Sequence, residues 1–261
     1  MPGPSPAVTT MIDPATVDAL LGGRVRVHQP ARGYRVAIDP VLLAAAVPGR
    51  GGERVLDLGT GSGAAALCLA ARVADVSVVG LDTDPAAIAR AEAGARESGS
   101  AERLSFLLAD VGQPLAAPLR QAFDHVMVNP PYLPPGSGRA PDDLGKAAAT
   151  REGLASLEVW AQAAVAAVRP RGTITVIHRA DRLDALLAAL TGRLGDLGVF
   201  PLWPGRDRPA RRVIVTGRKA ALSPLRLLPG LVLHGPDGRF TAEAEAVLRH
   251  MEPLSLWPRA A

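Results

Sequence analysis

Cysteine is nearly absent from this chain. Cys68 is the only one in 261 residues, which excludes an internal disulfide and a zinc site built on cysteine pairs. It lies in an Ala/Leu-rich helical stretch, where a buried structural thiol is expected. The five histidines, at 28, 125, 178, 234 and 250, show no metal-ligand spacing, so no metal is expected. Aromatic residues make up only 3%, so each of the two tyrosines carries more information than usual. Lysine is scarce too, since 27 of the 29 basic residues are arginine. The arginine fork suits anionic oxygens such as phosphates, and codon bias is the bland account of the same count. No apolar run approaches the ~18 residues that cross a bilayer, so no membrane partner is expected. The segment Met1-Pro2-Gly3-Pro4-Ser5-Pro6 lacks the basic and apolar regions of a signal peptide. Together these absences predict a soluble cytoplasmic protein.

What is present is a 48% apolar composition and a net charge of +4, enough for one α/β domain with extensions. Residues 1–23 read as a Pro-rich and then weakly helical lead-in. Val25–Val27 reads as a short strand. Asp39-Pro40 opens a helix, with Asp39 as N-cap and the proline at its first position. Strand-like and helix-like segments then alternate. The strands are expected at Arg54–Leu58, Ser77–Asp82, Leu104–Asp110, Phe123–Asn129, Gly172–His178, Gly198–Trp203 and Arg212–Gly217. Helices are expected at Gly63–Arg72, Pro85–Ser98, Glu152–Val168 and Ala180–Leu190. Apolar strands separated by helices indicate a mostly parallel, seven-stranded sheet sandwiched by helices. A short loop before the last strand makes that strand antiparallel, in a hairpin at one edge. Pro134–Ala149 reads as a lid-like loop. The tail after Leu222 is expected to turn at Pro236-Asp237-Gly238 and to continue into a helix capped by Thr241. The expected organisation is an N-terminal segment over residues 1–50, a central domain over 51–220 and a C-terminal extension over 221–261.

The first chemical signal is the turn Asp57-Leu58-Gly59-Thr60-Gly61-Ser62-Gly63, which follows a strand and opens a helix. Glycines permit positive φ and let a ligand approach the backbone. Gly59, Gly61 and Ala64 also satisfy the dinucleotide pattern. Asp57 tips the reading, because its carboxylate repels a pyrophosphate and suits the cationic groups of S-adenosylmethionine. Asp82, 25 residues after Asp57, stands where a carboxylate accepts ribose hydroxyls. Asp84 reads as the cap of the next helix. Asp110, at the end of the third strand, can accept the cofactor's adenine amino group or cap its own loop.

The second signal is Asn129-Pro130-Pro131-Tyr132. The Asn129 side-chain oxygen and the Pro130 carbonyl can both accept from one –NH2, localising a lone pair that is otherwise delocalised. The prolines fix φ and remove competing donors. Tyr132 offers a stacking face for a planar base. Both signals fall at the carboxyl ends of strands, where ligands bind in such sheets.

With these residues placed, the chain resembles class I S-adenosylmethionine-dependent methyltransferases, Rossmann-like in fold. Asn-Pro-Pro-Tyr is the motif of those acting on adenine N6 or glutamine amide nitrogen. The run from Gln29 through Tyr34 and Asp39 to Leu43 resembles the bacterial tRNA1(Val) adenine-37 N6-methyltransferase family. The resemblance covers residues 24–220. It implies that Gly59, Gly61, Asp82, Asp110 and Asn129 touch cofactor or target amine, with Thr60 and Gly63 in the same turn. It also implies that Tyr34, Asp39 and their neighbours cover the cofactor, and that S-adenosylhomocysteine is the product.

A tRNA partner needs a basic surface. Arg206, Arg208, Arg211 and Arg212 cluster near the end of the sheet, and Arg139 and Lys146 lie in the loop after the motif. A charged edge hairpin gives the same pattern without RNA. The alternatives are a release-factor glutamine-N5 methyltransferase, another adenine methyltransferase, and a non-catalytic partner subunit that binds cofactor and RNA.

Overall fold

The computed structural model describes residues 15–30, 37–132 and 155–256. Its strands are β1 (Ala15–Leu20), β2 (Val25–Pro30), β3 (Arg54–Leu58), β4 (Ser77–Asp82), β5 (Leu104–Leu108) and β6 (Phe123–Val128). They continue with β7 (Val168–Arg179), β8 (Leu194–Trp203), β9 (Arg212–Lys219) and the two-residue β10 (Arg226–Leu227) and β11 (Leu231–Val232). The helices are α1 (Asp39–Ala46), α2 (Ala64–Arg72), α3 (Pro85–Glu97), α4 (Leu157–Ala167), α5 (Leu183–Leu190) and α6 (Ala242–Arg249).

The main sheet runs β8-β9-β7-β6-β3-β4-β5, with β10 and β11 added along the outer side of β8. The seven expected strands are all present, and β9 alone is antiparallel to its neighbours. It lies between β7 and β8, so the hairpin's first strand, not its second, faces the edge. The short tail strands then cover part of that edge, which limits unpaired backbone groups.

Alternation along each strand assigns the faces. Met127 and Ile177 pack into one apolar cluster with α1, α2, α3 and α6. Val126, Val128, Ile174 and Val176 pack into the other with α4 and α5. Every residue of α1 is buried, which is why its pattern is apolar all round rather than amphipathic. Caps set several boundaries. Asp84 accepts from Ala86 N with Pro85 at N1, Ser156 accepts from Val159 N, and Thr241 accepts from Ala244 N.

Two local expectations are corrected. Residues 15–20 are a strand, not a weak helix. Gly22 and Gly23 take φ of 66° and 92°, which turns the chain back, and β1 pairs antiparallel with β2 from Ala15↔Pro30 to Leu20↔Val25. Asp39 is not the cap of α1. Ile38 occupies the N-cap without a side-chain bond, and Asp39 sits inside the first turn. Its carboxylate is buried and bonds elsewhere, as described below.

The tail is tied to the central layers. Arg72 donates to the carbonyls of Glu252 (2.7 Å) and Val247 (2.6 Å), and Leu254 N donates to Ala45 O at 2.8 Å.

Candidate active site

All main-sheet strands except β9 run in one direction, so their carboxyl ends share one rim. The loops after β3, β4, β5 and β6 meet there, and β9 starts there with Arg212 opposite Arg179. Parallel pairing therefore gathers the glycine turn, Asp82, Asp110 and Asn129 from four separate stretches of chain.

The turn is held by its neighbour strand. The amides of Gly59 and Thr60 both donate to Leu81 O at 2.9 Å. The amide of Gly61 donates to the Asp82 carboxylate at 2.8 Å, and that of Asp84 to the same side chain at 3.0 Å. The three glycines serve different ends. A Cβ at Gly59 would lie 2.7 Å from the Trp160 ring, and one at Gly63 would lie 2.9 Å from Ala91. Both are packing requirements. At Gly61, with φ of 55°, nothing lies within 4 Å. This is where a ligand can reach the backbone.

Asp57 is buried at the end of β3 and accepts the Thr60 hydroxyl at 2.7 Å. Burial, reinforced by the charge of Asp82, lifts its carboxyl to about 7 although the Thr60 bond acts the other way. A carboxylate this poor in partners fits a cationic group. Asp82 is fixed by backbone amides and retains lone pairs for hydroxyl donors. Asp110 is exposed and accepts from Gly112 N at 2.8 Å, so its side chain caps its own loop. These donors and acceptors fit an uncharged nucleoside carrying a cationic group.

The Asn129 motif extends from β6 on the same rim. Pro130 is buried and Asn129 is half-buried. The Tyr132 hydroxyl contacts the Asp39 carboxylate and lies 3.0 Å from Asn129 Oδ1. Arg212 Nε donates to the same Asp39 oxygen at 2.9 Å. Its guanidinium also lies over the Tyr132 ring, 4.6 Å from the centroid. Burial works against the Arg212 charge, yet Asp39 and Tyr132 hold its pKa above the ordinary arginine value. A carboxylate that is only 5% exposed needs charge-assisted donors, which explains why Asp39 leaves the capping role.

The family profile described as Methyltransferase domain matches residues 50–185, just over half of the chain. The chain belongs to this methyltransferase family. It is an S-adenosylmethionine-dependent enzyme. A tRNA1(Val) (adenine(37)-N6)-methyltransferase of Erwinia tasmaniensis is 33% identical over 213 residues, covering 80% of this chain and 84% of that one. A release factor glutamine methyltransferase of Moorella thermoacetica is 33% identical over 164 residues, covering 59% and 56% respectively. Among solved structures, a predicted O-methyltransferase of Agrobacterium tumefaciens superposes with a TM-score of 0.69 at 25% identity, covering 82% of this chain and 97% of that one.

Within the methyltransferase, the structure brings together Asp57, Gly59, Thr60, Gly61, Gly63, Asp82, Asn129, Pro130, Tyr132 and Asp39. Tyr34, Arg139, Lys146 and the loop Pro134–Ala149 lie outside the described residues. Arg206, Arg208 and Arg211 are exposed on the loop between β8 and β9, at the same rim. Arg212 is not part of that exposed set, because Asp39 holds it in the site. Among the described residues, no group of three or more His, Cys, Asp or Glu side chains could hold a metal ion. Nor is any described helix long and apolar enough to cross a membrane.

Sequence reasoning missed three residues of this methyltransferase site. His178 lies one residue before the end of β7 beside the motif, fully buried, with its ring 5.5 Å from that of Tyr132. Burial, then the nearby Arg182, Arg179 and Arg212, pulls its pKa down to about 4, so the ring is neutral. Trp160 of α4 closes on Gly59. Leu108 is 63% exposed and in register with Asp82, an apolar side chain beside that carboxylate. The usable signals were the strand-end position of His178 and the scarcity of tryptophan.

Proposed function

We propose that the enzyme methylates the exocyclic N6 amine of an adenine in tRNA, with adenine 37 of a valine tRNA as the intended target. The observation that carries this reading is the half-buried Asn129 carboxamide, beside the buried Pro130, on the same rim as the open backbone at Gly61. The likeness to the Erwinia tasmaniensis enzyme supports the choice of substrate.

In this reading Asp57 faces the cationic end of S-adenosylmethionine, Gly59 to Gly63 lie along it, and Asp82 accepts its ribose hydroxyls. Asp110 turns from its loop cap to the adenine amino group. Residues 1–50, Tyr34 and Asp39 among them, cover the cofactor. When bound, the cofactor supplies an electrophilic methyl group and leaves as S-adenosylhomocysteine. The Asn129 and Pro130 oxygens accept hydrogen bonds from the two N–H groups of the target amine and orient its lone pair, and the methylated, cationic nitrogen then loses one proton to water. Tyr132 supports the base once Arg212 yields its ring face. The base reaches this position flipped or already unstacked, a condition an anticodon loop meets at low cost. Arg206, Arg208 and Arg211, with Arg139 and Lys146, meet the phosphates. Acting on tRNA, the enzyme works in the cytoplasm.

The partial match to a release factor methyltransferase keeps glutamine N5 as the second reading. Incubating the enzyme with methyl-labelled cofactor and either total tRNA or a release factor separates the two. Label in tRNA that digests to N6-methyladenosine is expected. Label confined to protein overturns the first reading.

A further inference from the structure

The contacts of the Tyr132 hydroxyl raise a question of proton counting. It touches two oxygens, Asp39 Oδ2 and, at 3.0 Å, Asn129 Oδ1. A tyrosine hydroxyl carries one proton and cannot serve both. A carboxylate only accepts, and this one is buried, so it takes the proton in the stronger, charge-assisted bond. An oxygen would then face an oxygen at Asn129 with no hydrogen between them. Half a turn of the carboxamide removes the conflict, since amide oxygen and nitrogen are interchangeable in shape and assigned by their bonding. The nitrogen then donates to the tyrosine oxygen.

We propose that Asp39 is a positioning residue for methyl transfer. By taking the Tyr132 proton, it makes Tyr132 an acceptor for the Asn129 amide N–H and turns the Asn129 carbonyl oxygen away from Tyr132, toward the target amine. The last step rests on the proposed function; the proton order does not. Arg212 anchors the same Asp39 oxygen at 2.9 Å, so the carboxylate cannot swing back to cap α1. The arrangement joins three parts of the chain, with Asp39 93 residues before Tyr132 and 173 before Arg212. Without it, the tyrosine proton is free to occupy an oxygen that the substrate needs.

Asn129 is the only asparagine in the 261 residues, so asparagine-selective 15N labelling of the whole protein gives a single side-chain NH2 pair. One of its two protons is expected to be hydrogen-bonded and displaced downfield. Tyr132→Phe keeps the ring and should return that proton alone to an unbonded shift. If both protons keep their shifts in Tyr132→Phe, the relay is wrong, whatever the substrate proves to be. Asp39→Asn reverses the relay by offering a donor to the tyrosine oxygen. It should lower kcat about tenfold or more. Adding Tyr132→Phe should cause no further loss, because no hydroxyl remains to be directed. Losses that multiply in the double variant overturn the proposal. A wild-type enzyme that labels no tRNA overturns the proposed substrate, and the NH2 signals still decide the relay.

Discussion

The amide of Gly61 donates to the carboxylate of Asp82 at 2.8 Å, so the glycine turn and the end of the neighbouring strand form one unit. Asp82→Ala therefore removes a brace on the turn and, in the proposed reading, an acceptor for ribose hydroxyls. Cofactor affinity measured by calorimetry should fall by ~1–3 kcal/mol. Unchanged affinity would mean that the carboxylate serves the turn alone.

Asn129→Ala removes the proposed acceptor for the target amine and leaves the glycine turn intact. Methyl transfer should be lost while cofactor affinity stays within about a few-fold. A normal turnover number in the labelled-methyl assay would remove Asn129 from its role.

Asp57 predicts a pH dependence of both stability and binding. Its carboxyl is raised from an ordinary 3.8 to about 7, chiefly by burial. Between those values the folded state holds a proton that the unfolded state has released. The associated stability is complete below the lower value and is lost as pH rises through about 7. For a fully buried group the span corresponds to about 4 kcal/mol as an upper bound. Denaturant unfolding from acid to mildly alkaline pH should show this decline, and Asp57→Asn should flatten it. A cationic ligand favours the ionised carboxylate, so cofactor affinity should rise with pH and level off above about 7. A flat wild-type profile would show that no cation faces Asp57.

Gly59 and Gly61 should separate stability from binding. Both have positive φ, 71° and 55°. Gly59→Ala adds a clash with Trp160 to the backbone strain, and unfolding should be easier by ~2–4 kcal/mol. Gly61→Ala meets open space and should cost only the strain, about 1–2 kcal/mol, while weakening the cofactor more severely. Equal stability losses in the two variants would contradict this division.

Arg206, Arg208 and Arg211 are exposed on the rim, so their effect should be electrostatic and sensitive to salt. Replacing all three with alanine should raise the KM for tRNA and flatten its salt dependence, by up to about 0.7–0.9 in slope for each phosphate left unneutralised. The turnover number at saturating tRNA should change little. An unaltered salt slope would return these arginines to a solvated edge.

The sheet was legible because each central strand is a short apolar run closed by a turn. The bounds Arg54–Leu58 and Ser77–Asp82 appear in the structure as read from the chain. The strand β1 was not legible, because Ala15–Leu20 has no strong pattern of its own and is extended only by pairing with β2. The glycine turn and the Asn129 motif were visible for a different reason. Their backbone demands are met within a few contiguous residues, and glycine and proline mark them. Arg212 was misjudged as a surface cation because its partner, Asp39, lies 173 residues away.

From the chain alone came the alternation of strands and helices, the glycine turn and the Asn-Pro-Pro-Tyr motif, all written in local spacing and special backbone residues. Folding alone decided which charges meet. Strand order sets β9 beside β7, and α1 rests on the same face of the sheet, so Asp39, Tyr132 and Arg212 converge. No local rule of sequence encodes that meeting. It follows from burying a carboxylate beside two distant donors, Tyr132 and Arg212, that satisfy it.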